Sequence, residues 1–438
     1  MRRPPLSPVE RQRASHGVAF LAWVALVVMV VLWGRWLEED QDIGVGAPPF
    51  HGTYDWLLTA GLAIPVAVAI ALFLLAPPIF RRLPSRLVAV SAGLVSVGWA
   101  LTLQRADDKS LTAPLTTGYD YLAGVSDVTT PGEYLRTFTE RLPEYPTHVR
   151  GHPPGTVLIA WTLEELGLPG PTPFLIVILT VWGLGIAAVL TALRAVAGEE
   201  AARRAALPVA LAPVAVWVAT SADPLFGGLS AVGVALVVVA LTKAPSLRAD
   251  ALALVGGAIF GGAMLLTYGA VLLVFVPLAV AFHRQRVRPL VGAAVGGAAV
   301  LGGVAAAGFW WLDGLTAVRV EYDKGLASDR PYSYFVFANL AVFAVACGPA
   351  VSTGLSGVQP RVWQSRLWVL ALGALVCVLI ADLSGLSKAE TERIWLPFVP
   401  WALTVVATTE ERAVRLRWLM AGQLVCAIAV QLVLRSAW

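Results

Sequence analysis

Two histidines four residues apart, with an arginine between them and two prolines directly after, occur in the run Tyr145-Pro-Thr-His148-Val-Arg150-Gly-His152-Pro153-Pro154-Gly155. The 438-residue chain holds only five histidines, so this concentration singles the run out. Proline is favoured in the first turn of a helix, where its missing N–H would be unpaired anyway, and Pro153-Pro154 are expected to open a helix running to Leu166. A helix start presents N–H groups and a partial positive charge. With His148, Arg150 and His152 alongside, a phosphate or carboxylate has a docking place there. The competing reading is a loop corner with two interfacial histidines. His-x-x-x-His supplies two metal ligands at most, and the prolines break the argument that both lie on one helix face. No divalent metal or other cofactor is indicated.

The acid that suits proton transfer is Asp120, in Thr116-Thr-Gly-Tyr119-Asp120-Tyr121. Aromatic walls partly desolvate a carboxylate and make it a better base toward a hydroxyl. Asp107, Asp108, Glu133, Glu140 and Glu144 sit among ordinary polar residues and suit solvated charge. Near the C-terminus, Lys388-Ala-Glu390-Thr-Glu392-Arg393 puts two cations at the mouth of a following helix. Lys388 and Arg393 could neutralise a phosphate whose lipid tail lies between helices. An ion pair of either with Glu390 or Glu392, capping the helix, is the alternative.

The elements that must position these residues are membrane helices. Hydrophobic residues make up 58% of the chain and charged ones 14%, which places most of it in lipid. Segments of ~20 apolar residues occur near 18–36, 56–79, 87–103, 173–194, 205–220, 225–242, 251–266, 268–282, 289–309, 334–355, 367–381, 394–409 and 417–434. The expected fold is therefore all-α, with about thirteen spans (11–13) in one membrane domain over 1–438. The pairs around Asp223 and around Thr267-Tyr268 are short enough to be broken helices.

A cytoplasmic N-terminus puts Arg2, Arg3, Arg11, Arg13, Arg81, Arg82, Arg86, Arg203, Arg204, Arg284, Arg286, Arg288, Arg412, Arg415 and Arg417 on one side, as the positive-inside bias requires. The net charge of +4 reflects that bias and gives no pointer to nucleic acid. The other side then receives four polar segments: Glu38 to Asp55, Gln104 to about Pro173, Trp310 to Tyr334, and Asp382 to Arg393. Within the second, residues 104–172 form an extracytoplasmic loop too long for a plain connection. Its Tyr121, Leu122, Tyr134, Leu135, Phe138, Leu142 and Tyr145 supply apolar surface for short juxtamembrane helices, and Thr130-Pro-Gly-Glu133 is a helix start. Cys347, Cys377 and Cys426 fall inside predicted helices and suit packing. Trp310-Trp311 and the tyrosines at 322, 332 and 334 suit an interface belt. Gly256-Gly257, Gly261-Gly262 and Gly302-Gly303 suit close helix packing.

Taken in order, these features resemble the GT-C superfamily of membrane glycosyltransferases, in particular the branch with the protein O-mannosyltransferases and lipid A aminoarabinose transferases. The matching features are Asp120, then His152-Pro153-Pro154, then Arg203-Arg204, then Arg393-Ile-Trp395-Leu-Pro397, with Gly261 to Gly269 similar to a Gly-rich helix of that family. The resemblance covers about residues 104 to 400. Two departures stand out: the loop follows the third apolar segment rather than the first, and Tyr119-Asp120-Tyr121 replaces the family's Asp-Glu pair. That leaves Asp42 or Asp55 of the first loop as alternative bases. The Ala/Val/Gly/Arg-rich composition is also similar to actinobacterial envelope transferases, including a methylthioxylose transferase.

The resemblance implies an inverting transferase in the plasma membrane. Its donor would be a polyprenyl-phosphate sugar and its acceptor a hydroxyl of a cell-wall glycan, lipoglycan or other glycolipid, with membrane lipids as surroundings. Asp120 would be the base, and Tyr119, Tyr121, His148, Arg150, His152, Lys388, Glu390 and Arg393 would bind substrate. A flippase or transporter of a polyprenyl-linked sugar is the rival; such proteins carry midplane charges and repeated halves, which this chain does not show clearly.

Overall fold

The computed structural model describes residues 8–107, 110–358, 361–409 and 416–436. Arg2, Arg3, Asp108, Arg412 and Arg415 lie outside the described residues. Among the described residues, eight helices are long and apolar enough to cross a membrane: Gln12–Gln41, Ala60–Arg82, Ser85–Ala106, Pro171–Ala197, Asp223–Thr242, Leu247–Met264, Arg288–Ala306 and Leu416–Val433. Three shorter apolar helices, Tyr268–Arg284, Tyr332–Cys347 and Val369–Leu383, match three more of the expected segments. The molecule is a multi-pass membrane protein.

The remaining two expected segments are broken. At 205–220, the helix Glu199–Ala210 gives way at Pro213 to a 3-10 turn over Pro213–Trp217. At 394–409, Pro397 and Pro400 interrupt the chain, which runs through the short pieces Thr391–Ile394, Leu396–Phe398, Val399–Ala402 and Leu403–Thr408. Both pieces are almost wholly buried within the bundle, where other helices surround their irregular backbone.

The fold is predominantly helical, as expected, with one small addition. A three-stranded antiparallel sheet joins Gly46–Ala47 (β1), Phe50–Tyr54 (β2) and Leu434–Ser436 (β3), in the order β1-β2-β3. Gly52 pairs with Ser436 and Tyr54 with Leu434. Gly46 has φ +71°, a conformation that favours glycine, and lies too close to the Gly52 carbonyl for a Cβ. Sequence patterning misses the sheet because β1 and β3 are each only two or three residues long.

Two sets of loops gather at opposite ends of the bundle. At one end Arg203 donates to the carbonyls of Phe80 (2.9 Å) and Leu83 (2.8 Å), and Arg284 to that of Val196 (3.0 Å). At the other, Thr59 donates to Ala106 O (2.7 Å), Arg435 pairs with Asp55 and Asp107, and Asp223 meets Arg393. The loop 104–172 folds at this second end into short helices and 3-10 turns. Thr130 caps the helix Pro131–Thr137 by accepting from Glu133 N at 3.2 Å, as its sequence suggests. Tyr134 and Tyr145 of this loop pack on Phe138, which meets Phe309, the residue just before the third polar segment. Trp311 donates its indole N–H to Met264 O at 2.8 Å, whereas Trp310 stays half exposed. Where the Leu247–Met264 and Arg288–Ala306 helices pack, a Cβ on Gly257 would run into Ala293, while Gly302 and Gly303 face open space.

Candidate active site

The helix announced by the Pro-Pro pair spans Gly155–Glu165 with Pro154 immediately before it. The first N–H of that helix is taken within the fold. Gly155 N donates to Leu265 O at 2.9 Å, and a Cβ at Gly155 would lie 2.5 Å from that oxygen. Pro153, Pro154 and Thr156 are buried. The motif thus seats the loop on the turn between the Leu247–Met264 helix and the Tyr268–Val274 3-10 segment, and satisfies a carbonyl freed there.

The seating brings the loop's histidines to Asp120. Asp120 is 2% exposed and caps the 3-10 segment Tyr121–Asp127, accepting from Tyr121 N at 2.6 Å through Oδ1. His148 Nδ1 donates to its Oδ2 at 3.2 Å, and the His148 backbone N–H donates to Tyr119 O at 2.9 Å. The carboxylate is held by two donors and keeps lone pairs for a third. His152 Nδ1 donates to His148 O at 2.9 Å, which makes Nε2 the acceptor nitrogen of its neutral ring. Burial pushes that ring down to about 4, with Asp223 pulling upward and Arg393 downward, so His152 is neutral at pH 7.

Tyr121 wedges the cluster together. Its ring lies 5.9 Å from that of His148, 5.6 Å from that of His152 and 6.0 Å from that of Phe226, and burial raises its phenol far above the ordinary value. Phe226 belongs to the Asp223–Thr242 helix, one turn from Asp223. Asp223 Oδ2 accepts from Arg393 Nη1 at 3.2 Å, and Arg393 Nη2 donates to Glu390 Oε2 at 2.6 Å. Burial opposes charge on both Arg393 and Glu390, yet mutual attraction wins: the guanidinium is raised and the Glu390 carboxyl lowered. Both stay ionised.

Asp120, Tyr121, His148, His152, Glu390 and Arg393 therefore share one cluster, with Tyr119 edge-on to His148 at 5.6 Å. Two expected residues make contacts of another kind. Arg150 donates to Thr147 within its own turn (3.4 Å), and Lys388 Nζ donates to Ser328 O (2.6 Å), tying the fourth polar segment to the third. Neither alternative acid is enclosed: Asp42 accepts from Gly44 N in an exposed turn, and the Asp55 side chain is 66% exposed beside Arg435.

Sequence reasoning missed Asp223 and His51. Asp223 is an acid interrupting an apolar stretch, a signal of function in membrane segments. His51 lies in the first loop, where its N–H donates to Glu392 Oε1 at 3.3 Å and its ring, lowered mainly by burial, feels Glu390, Arg330 and Arg393. Among the described residues, no group of three or more His, Cys, Asp or Glu side chains is arranged to hold a metal ion.

The fold and site together define a polytopic helical membrane protein with a buried cluster of charge at one end of its bundle. No protein-family model matches the chain, and no curated protein does. Two solved structures of ArnT from Cupriavidus metallidurans, one in the apo state and one bound to undecaprenyl phosphate, align with 72% of the chain at 17% identity, with TM-scores of 0.44 and 0.43. The chain spans 58% and 59% of the length of those two proteins.

Proposed function

We propose that this chain is an inverting GT-C-type glycosyltransferase that moves a sugar from a polyprenyl-phosphate donor to a hydroxyl of a cell-envelope glycan or glycolipid. The observation that carries this reading is the enclosure of an acid–histidine pair, Asp120–His148, with the buried cation Arg393 in one electrostatic cluster. A proton acceptor and a cation for a phosphate leaving group are what such a displacement needs. The order of motifs shared with the GT-C superfamily adds support.

In the proposed reaction the acceptor oxygen attacks the anomeric carbon opposite the phosphate. Its proton passes to Asp120, the bond from that carbon to the phosphate oxygen breaks, and the electron pair leaves on the polyprenyl phosphate. His148 steadies the carboxylate through Oδ2. Arg393 faces the phosphate, which competes with Glu390, the more accessible of its two partners at 26% side-chain exposure against 5% for Asp223. The positive-inside bias puts this end of the bundle outside the cytoplasm.

Membrane vesicles supplied with a radiolabelled polyprenyl-phosphate sugar test the reading. Transfer yields labelled glycan and free polyprenyl phosphate, whereas intact donor appearing in the opposite leaflet would establish a flippase instead. Sidedness is tested in the same cells. Ser126 is exposed, so Ser126→Cys should react with an impermeant maleimide in intact cells; protection until the membrane is opened would reverse the topology.

A further inference from the structure

Beside the cluster lies a cavity of about 270 Å³, lined by residues of four separate chain regions, the first of them represented by Leu57. The loop contributes Gln104, Asp107, Thr117 and Tyr119, while Thr220 precedes the Asp223–Thr242 helix, and Gln431 and Arg435 come from the end of the chain. Its wall adjoins the chain segment of the acid: the Asp120 backbone N–H donates to Thr117 O at 3.1 Å, and Tyr119 lines the cavity and stands edge-on to His148. Exposed Ser110 and Tyr119 form the rim, and buried Val216, Thr220 and Gln431 the floor.

Three observations specify the occupant. First, Gln431 is 7% exposed, and its Oε1 has no hydrogen-bond partner; the buried Thr117 Oγ1 has none either. Such groups are rarely left unsatisfied without a ligand or water to meet them. Second, the charge does not suit an anion, because Arg435 is already paired with Asp107 (3.5 Å) and Asp55 (3.7 Å), two carboxylates against one guanidinium. Third, Tyr119 offers a ring, 43% exposed, above a floor that mixes polar groups with Val216 and Leu57. An amphipathic, uncharged polyhydroxyl ligand fits this lining, and the volume suits a small ligand rather than a lipid chain.

We propose that this cavity is the acceptor subsite and takes an uncharged sugar residue, whose hydroxyls meet Gln431 and Thr117 while one faces Asp120. The proposal rests on the transferase reading for the word acceptor. The binding itself is measurable without donor.

Saturation-transfer NMR on the full chain in nanodiscs, with methyl mannopyranoside and methyl arabinofuranoside as probes and mannose phosphate as the anionic control, reads that binding directly. At least one neutral glycoside should bind, with mannose phosphate at least about tenfold weaker. Gln431→Leu, which keeps the size but deletes the amide, and Ala113→Trp, which fills the cavity from its wall, should each weaken glycoside binding by about tenfold or more. If Gln431→Leu does not fold, Ala113→Trp decides. Absence of glycoside binding, equal or better binding of mannose phosphate, or normal binding in the folded variants overturns the proposal. Glycoside binding that the variants abolish, in a protein that shows no transfer, would leave the subsite standing and remove the transferase reading.

Discussion

The two ends of the bundle employ their arginines differently. At one end Arg203 and Arg204 have side chains 28% and 34% exposed, and Arg203 finishes the carbonyl end of the Ala63–Arg82 helix while pairing with Glu199. Arg284 does the same for the Pro171–Ala197 helix. These contacts answer the unpaired carbonyls and negative dipole of helix C-termini, and the arginines keep part of their side chains exposed. At the other end Arg393 is 6% exposed and lies between two carboxylates, beside a histidine and an aspartate that are equally enclosed. Burying ionic groups costs more than a hydrophobic replacement would. The Arg203 end therefore shows charge that caps helices, and the Arg393 end charge that is enclosed and paired, as the proposed chemistry requires.

The largest expected effect breaks that contrast at the arginines themselves. Arg393→Ala leaves Asp223 and Glu390 enclosed without their cation, a loss of about 3–5 kcal/mol, and should also abolish measurable donor binding. Arg203→Ala should cost about 1–2 kcal/mol, because its carbonyl partners can turn to water. Thermal unfolding of the two variants in nanodiscs, with donor binding measured alongside, compares the ends; equal losses would erase the distinction.

Next in size, Asp120→Asn keeps the shape and the contact with Tyr121 N while deleting the base. Transfer should fall by at least ~100-fold with donor affinity retained. Asp55→Asn, at the exposed edge of the same end, should change turnover little. The reverse pattern would move the base to the first loop.

The smallest effect sharpens the electrostatics of the end that holds Arg393. Folded His152 is held near 4, against 6.5 for the free side chain. On acidification the unfolded chain takes up this proton first, so the stability contributed by neutral His152 is full above pH 6.5 and drains as pH falls toward 4. His152→Gln should flatten that part of the stability profile by on the order of 1 kcal/mol. The same slope in both proteins would show that another group titrates.

Much was legible in advance. The long helices follow from apolar runs of membrane length, and each falls where hydropathy puts it. Thr130 as a cap and Pro154 as the residue before a helix follow from local backbone chemistry, which needs no distant partner. The clustering of His148 with Asp120 was half legible, since both lie in one loop. The sheet that ties Leu434–Ser436 to the first loop was not legible, because its register depends on chain segments nearly four hundred residues apart.

What the sequence determined by itself is what short-range forces decide: which stretches enter lipid, where helices begin, and which polar segments share a side. Only the tertiary structure decided that Asp223, an acid set in an apolar run, faces Arg393, that Gly155 N–H is taken by Leu265 O, and that Lys388 turns to Ser328. A charge carries no record in its own residue type of which distant carbonyl or carboxylate will compensate it. That choice is made by the packing of helices in low dielectric, where the cost of an unpaired ion selects the partner.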